Sequence, residues 1–192
     1  MRRVAVIGNS GAGKSTLATK LADRYGLRHL ELDEYAQGPN WQLVAPEDFQ
    51  RAIAAEIAGP AWVIDGNYLS RTSQTIWPLT DTIIWLDLPL RVVLPRLVRR
   101  SINRIRNGTE LWNGNRERWS NLLGPDSVLI WAVRSHRQHR RELPATLARL
   151  RKEGKDVIVL HSAAEVAEWL GGLDRPAPRS APDAIGSDPG EL

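Results

Sequence analysis

Four apolar residues, Val4–Ile7, run straight into Gly8-Asn9-Ser10-Gly11-Ala12-Gly13-Lys14-Ser15, after which Leu17 and Leu21 recur at helical spacing. A strand, a glycine-rich turn and a helix in that order fit the pattern G-x-x-x-x-G-K-[ST] in full. The chemistry accounts for each position. Glycines let the backbone fold round a phosphate with its N–H groups pointing inward, at the positive end of the following helix. Lys14 supplies a point charge for the outer phosphates, the Ser15 hydroxyl is a ligand for Mg2+, and Thr16 extends the polar helix start. The stretch predicts a bound nucleoside triphosphate, taken as ATP, with Mg2+.

The rest of the chain repeats the alternation. "LRHLELDEY" predicts a second strand ending near Leu32, and Pro46 opens a helix over 47–58. "AWVIDG" is a third strand stopping at Asp65-Gly66, and "DTIIWLDLP" a fourth, stopped by Pro89. An arginine-rich helix then runs from Pro89 to Arg106. Breakers at Gly108, Gly114, Gly124 and Pro125 surround a short helical piece, Arg116–Leu123. A further helix covers 127–152 with an interruption at Pro144, "KDVIVLHS" is a fifth strand, and Ala163–Leu170 a last helix.

Nearly continuous apolar strands between helices predict an α/β fold: a five-stranded parallel sheet with helices on both faces. Right-handed crossovers bring the carboxyl ends of the strands to one edge, where ligands of such sheets bind. Gly8, Asp33, Asp65 and Asp87 all fall at that edge. One domain is expected over 1–171, with a lid over about 107–126, and 172–192, rich in Pro, Gly, Ala and Asp, as a disordered tail.

The totals exclude other classes. There is no cysteine among the 192 residues, which removes disulfides and thiolate chemistry and is compatible with a cytoplasmic setting. No apolar run approaches the roughly 20 residues of a membrane span. Met-Arg-Arg leads into a strand rather than a signal peptide. Net charge is only +4, yet twelve arginines, no lysine and three acids lie between Arg91 and Arg141. That segment is built to meet phosphates, of a nucleotide or of a nucleic acid, although some of its arginines belong to a solvated helix face.

With the phosphate loop, "LDEY", "WVIDGNY", "TDTIIWLDLPLRVVLPRLVRR" and "LWNGNRE" on the page, the chain from Arg3 to about Leu170 resembles an adenylate-kinase-like P-loop phosphotransferase. In particular it is similar to the bacterial DNA topology modulation (FlaR-related) proteins. The resemblance implies a three-layer P-loop kinase fold with an arginine-rich lid. It implies that Asp65 matches the aspartate that holds magnesium through water, with Asp87 ranked behind it on a core strand. It implies that Asp33 faces the acceptor hydroxyl, with Glu34 its rival; an acidic turn is an equally good reading. Arg96 and Arg100, one helical turn apart, match the arginines that meet adenine and phosphates. Arg116 and Arg118 belong to the lid, and Arg134, Arg137 and Arg141 complete its cage. The basic residues are accordingly expected to line the nucleotide cleft.

The chain also departs from that pattern. No proline follows Asp65-Gly66, and Arg71 stands two places later than the arginine that grips an acceptor nucleotide. Tyr35, Trp41 and Tyr68 offer an aromatic wall for a non-nucleotide acceptor, or simply core. The expected activity is ATP- and Mg-dependent transfer of a phosphoryl group to an unidentified small-molecule hydroxyl or phosphate. A nucleoside monophosphate kinase, and a nucleic-acid-associated or regulatory P-loop NTPase, are the alternatives. His136 and His139 read as surface residues, and Trp62, Trp85, Trp131 and Trp169 as core.

Overall fold

The computed structural model describes residues 1–66, 75–124 and 127–173. Its strands are β1 (Arg3–Gly8), β2 (Arg28–Glu31), β3 (Trp62–Asp65), β4 (Thr82–Leu86) and β5 (Asp156–Leu160). All pair in parallel, in the order β2-β3-β1-β4-β5. The helices are α1 (Lys14–Tyr25), α2 (Leu32–Ala36), α3 (Pro46–Glu56), α4 (Leu90–Arg106), α5 (Trp119–Leu123), α6 (Val128–Lys152) and α7 (Ala163–Gly172). Short 3-10 turns fall at Pro39–Trp41 and Trp112–Gly114.

β1 lies at the centre of the sheet, so it is covered on both faces, and Val4, Val6 and Ile7 are buried accordingly. One apolar layer joins Val4, Val6, Val63 and Ile84 to Leu17 and Leu21 of α1, with Val166 and Trp169 of α7 at its margin. The opposite face is shared. Leu30, Trp62 and Ile64 pack Phe49 and Ile53 of α3, whereas Ile7, Ile83 and Trp85 pack Leu143, Leu147 and Leu150 of α6. This is the expected sandwich of helices about a parallel sheet.

β2 ends at Glu31, near the expected Leu32, and the acids beyond it open the short helix α2. Other local expectations are corrected. The short helical piece expected over Arg116–Leu123 starts at Trp119, three residues later. α6 is continuous through Pro144. The ring removes a single backbone donor there, and the buried flanking residues Leu143 and Leu147 hold the helix on the sheet. α7 extends to Gly172, so the expected tail loses its first residue; from 174 onward it lies outside the described residues, as do Tyr68, Arg71 and Asp126. Of the tryptophans assigned to the core, Trp62 and Trp85 are buried and Trp169 packs at the margin, but Trp131 is 49% exposed.

No helix among the described residues is long and apolar enough to cross a membrane. Phe49 is the only phenylalanine of the chain and its side chain is buried within the α3 layer. Phe49→Ala is expected to cost ~3–5 kcal/mol, read as a lower urea midpoint at unchanged slope.

Candidate phosphoryl-transfer site

The loop between β1 and α1 is held from two sides before any ligand arrives. Asn9 is buried, and its Nδ2 donates to the Ala132 carbonyl at 2.8 Å while its Oδ1 accepts from Ser135 Oγ at 3.0 Å and from the Ser10 N–H at 2.9 Å. The Asn9 side chain therefore ties the loop to α6. Opposite it, α4 packs so closely that a Cβ on Gly11 would stand 2.9 Å from the Val93 carbonyl oxygen. Gly11 also has φ +84°, so glycine is required twice over at that position.

No side chain caps the start of α1. Its first N–H groups keep the positive end of the helix available to an anion. Lys14 Nζ donates to the Asn9 carbonyl at 3.3 Å. Burial pulls the Lys14 ammonium below its ordinary value, while Asp33 and Asp65 act to raise it. Arg100 reaches in from α4 and donates to Ser10 Oγ at 3.2 Å. Its guanidinium is lowered by burial and by Arg104, against Glu117 and Asp33, and its buried Nε has no hydrogen-bond partner among the described residues. Lys14, Arg100 and Asp33 thus share one electrostatic neighbourhood, supplied by three different elements.

Asp65 stands at the end of β3, 2% exposed, in register with Glu31 of β2 and Val6 of β1. Its Oδ2 lies 3.4 Å from His29 Nε2, and this approach raises the imidazole above its usual value, with burial opposing. Asp87 is engaged differently. Its Oδ2 meets Arg140 Nε at 3.5 Å and His161 Nδ1 at 3.3 Å, on the α6 side of the sheet. Asp65 therefore stands on the β2–β3 side of the edge and Asp87 on the β4–β5 side.

Ser15 Oγ donates to Glu31 Oε1 at 3.3 Å, and the Trp112 indole N–H donates to Glu31 Oε2 at 2.9 Å. Sequence reasoning overlooked Glu31, Trp112 and Ser135. Glu31 carried a readable signal, a carboxylate at the end of an edge-directed strand; the other two depend on long-range packing. The segment between α4 and α6 rests on the loop after α2. Asn113 Nδ2 donates to the Glu34 and Gln37 carbonyls at 3.1 and 2.6 Å. Buried Asn115 donates to the Gly38 carbonyl and accepts from the Trp41 N–H, both at 2.9 Å. The Trp41 and Trp112 rings meet edge to face with centroids 6.4 Å apart. Arg104 lies over Trp112 and pairs with Glu117 at 2.8 Å.

The arginine-rich stretch divides unevenly. Arg100 and Arg104 are drawn inward, whereas Arg96, Arg118, Arg134, Arg137 and Arg141 are exposed. Arg116 is also exposed and bonds Glu110 at 3.2 Å. The expectation that the basic residues line the cleft therefore holds for two side chains of the twelve in this structure. His136 and His139 are buried, against the surface reading, because their face of α6 turns toward the phosphate loop. Among the described residues no three His, Cys, Asp or Glu side chains gather to hold a metal ion. Ser15, Glu31 and Asp65 are nonetheless hard oxygen donors beside the loop, and Asp65 Oδ2 is buried without a well-formed hydrogen bond. That set suits Mg2+, which is commonly bound by one or two protein groups, substrate phosphates and water rather than by an all-protein cage.

No family model matches the chain. It is 26% identical over 147 residues to a cytidylate kinase of Pyrococcus horikoshii, covering 64% of this chain and 72% of that protein. A shikimate kinase of Persephonella marina is 27% identical over 110 residues, 50% of this chain and 67% of its own length. A solved sugar kinase from Janibacter sp. HTCC2649 superposes with a TM-score of 0.51 at 23% identity, over 91% of this chain and 95% of that one, a likeness of fold. The fold is that of P-loop kinases, and together with the phosphate loop and these relatives it supports a phosphotransferase.

The histidines give the folded protein two opposed pH responses. Burial, with Lys14 nearby, pushes His139 down to about 4 from an ordinary 6.5, and burial lowers His136 as well. The unfolded chain takes up these protons first, so both contributions are lost as pH falls below about 6.5, that of His139 down to about 4. His29, raised by Asp65, stabilises below 6.5 and loses that contribution as pH rises past its folded value. His139→Gln should flatten part of the acid limb, measured as urea midpoints at a series of pH values.

Proposed function

We propose that this protein transfers the γ-phosphoryl group of ATP, with Mg2+, to a hydroxyl group of a small acceptor that carries no phosphate of its own. The observation that carries the reading is the neighbourhood of Lys14, Arg100 and Asp33 around a phosphate loop already fixed by Asn9 and Gly11. Phosphoryl transfer asks chiefly for positioning and charge neutralisation, and this arrangement supplies both.

Each group has a part. The backbone N–H groups of residues 8–16 and Lys14 cradle the triphosphate, and Arg96 on the exposed flank of α4 meets the base. Arg100 neutralises charge on the phosphoryl group as the new P–O bond forms and the bond to the leaving diphosphate breaks. Asp33 accepts the hydroxyl proton. Ser15 and Asp65 are the groups to hold the metal ion, whose charge spreads over the phosphate oxygens when it is bound. Arg116, now paired with Glu110, is assigned to the closed complex.

The acceptor class rests on charge. Residues 31–43 contain Glu31, Asp33 and Glu34 and neither lysine nor arginine. A surface of that sign suits an uncharged or cationic hydroxyl compound, held against Tyr35 and Trp41, better than a phosphate ester. The cytidylate kinase relatives favour a second reading, a nucleoside monophosphate as acceptor. A nucleic-acid role, in keeping with the resemblance to DNA topology modulation proteins, draws support from the exposed arginines, and would show as binding that weakens steeply with salt. A cytoplasmic setting accords with a nucleotide substrate.

The test is ADP formation from ATP against two acceptor pools, one of polyols, sugars and amino alcohols, one of nucleoside monophosphates. Turnover with the first pool only is expected; turnover with the second only would replace this reading with the monophosphate kinase. Lys14→Ala should abolish turnover. Arg100→Ala should lower kcat about 10²–10³-fold with a smaller change in nucleotide affinity, and Arg100→Lys should recover part of it.

A further inference from the structure

The contact between Trp112 and Glu31 joins two parts of the site that the transfer reaction uses separately. On one side of the Glu31 carboxylate is the hydroxyl of Ser15, at the start of α1; on the other is the indole N–H of Trp112, from the segment between α4 and α6. Trp112 is itself placed by several independent contacts. Its ring meets Trp41 edge to face, Arg104 lies over it, and the side chains of Asn113 and Asn115 bond the backbone of residues 34–41. Asn113, next in the chain, takes a left-handed conformation, φ 56°.

A serine hydroxyl has one proton and two lone pairs. While the proton goes to Glu31, the lone pairs remain for a cation. A carboxylate that accepts from Trp112 has less freedom to rotate away from Ser15. The indole N–H thus acts on the metal-binding hydroxyl through Glu31, without touching nucleotide or acceptor.

We propose that Trp112 is a positioning residue: docked on Glu31, it holds the Ser15 hydroxyl in the orientation that binds the metal ion, so that docking of the α4–α6 segment and metal binding favour one another. This rests on the kinase reading above and concerns the same site. Because binding linkage is reciprocal, whatever strengthens docking strengthens metal affinity and the reverse.

Trp112→Phe is the direct test, since it keeps an aromatic ring against Trp41 and Arg104 while removing the indole donor. The first readout is the metal concentration for half-maximal turnover at saturating nucleotide and acceptor. The second is the affinity of Mn2+ for the protein–ADP complex by electron paramagnetic resonance, which needs no turnover. Both should weaken about 3–10-fold, within the net range for loss of one ordinary hydrogen bond, with thermal stability and kcat at saturating metal nearly unchanged. Glu31→Gln should shift the same two quantities, and the double variant should be no worse than Glu31→Gln alone. Unchanged Mn2+ affinity in Trp112→Phe, or additive effects in the double variant, would overturn the proposal. If the unaltered protein binds no Mn2+–ADP, both the kinase reading and this inference fall; if it binds and turns over normally and Trp112→Phe matches it, only this inference falls.

Discussion

Five strands that all run one way leave every strand carboxyl end on a single edge, and the candidate site lies along that edge. β1 ends at Gly8 and opens the phosphate loop, β2 ends at Glu31, β3 at Asp65, and β4 leads into Asp87. Separations of dozens of residues in sequence collapse to adjacent strand ends, each about 5 Å from the next. The buried apolar faces hold this register, because a slip of one residue would turn each strand's buried set to the other side. The core thereby sets the spacing of the functional groups without containing any of them.

Polar anchoring adds what the sheet cannot. The phosphate loop is a stretch of small residues with no apolar side chain to hold it, apart from Ala12. Its fixed shape comes from the buried Asn9 amide against α6 and from the close approach of α4 at Gly11. Each such bond contributes about 0.5–1.5 kcal/mol net, modest for stability, yet sufficient to hold donor groups in place before the ligand arrives. An anion entering the loop meets dipoles already oriented, and little reorganisation remains for the reaction.

What the sequence disclosed follows the range of the interactions involved. The phosphate loop, the strand ends and α4 were legible because strand, turn and helix signals are local; Pro89 and Asn107 bracket α4 where the pattern put its limits. Trp112, Ser135 and Asn115 were not, since each acquires its role from a partner on a distant element. The histidines illustrate the same limit. His136 and His139 stand among arginines in sequence, which suggests a surface, but the helix turns every third or fourth residue inward, and theirs is the inward face. Pro144 misled in the opposite direction: a local breaking signal was outweighed by the packing of Leu143 and Leu147.

Pinning of α4 and α6 to the phosphate loop has a mechanical consequence. Both stems from which residues 107–124 project are fastened to the phosphate loop, α4 at Gly11 and α6 at Asn9, whereas the tip of the projection is fastened to the segment after β2 by Asn113 and Asn115. On the kinase reading proposed above, opening such a bridge would leave its footings where they are, with Gly108 at φ 58° at one end and the amide bonds at the tip as the fasteners to yield. The span would then work like a drawbridge, letting a small molecule come and go while the grip on the nucleotide stayed in place.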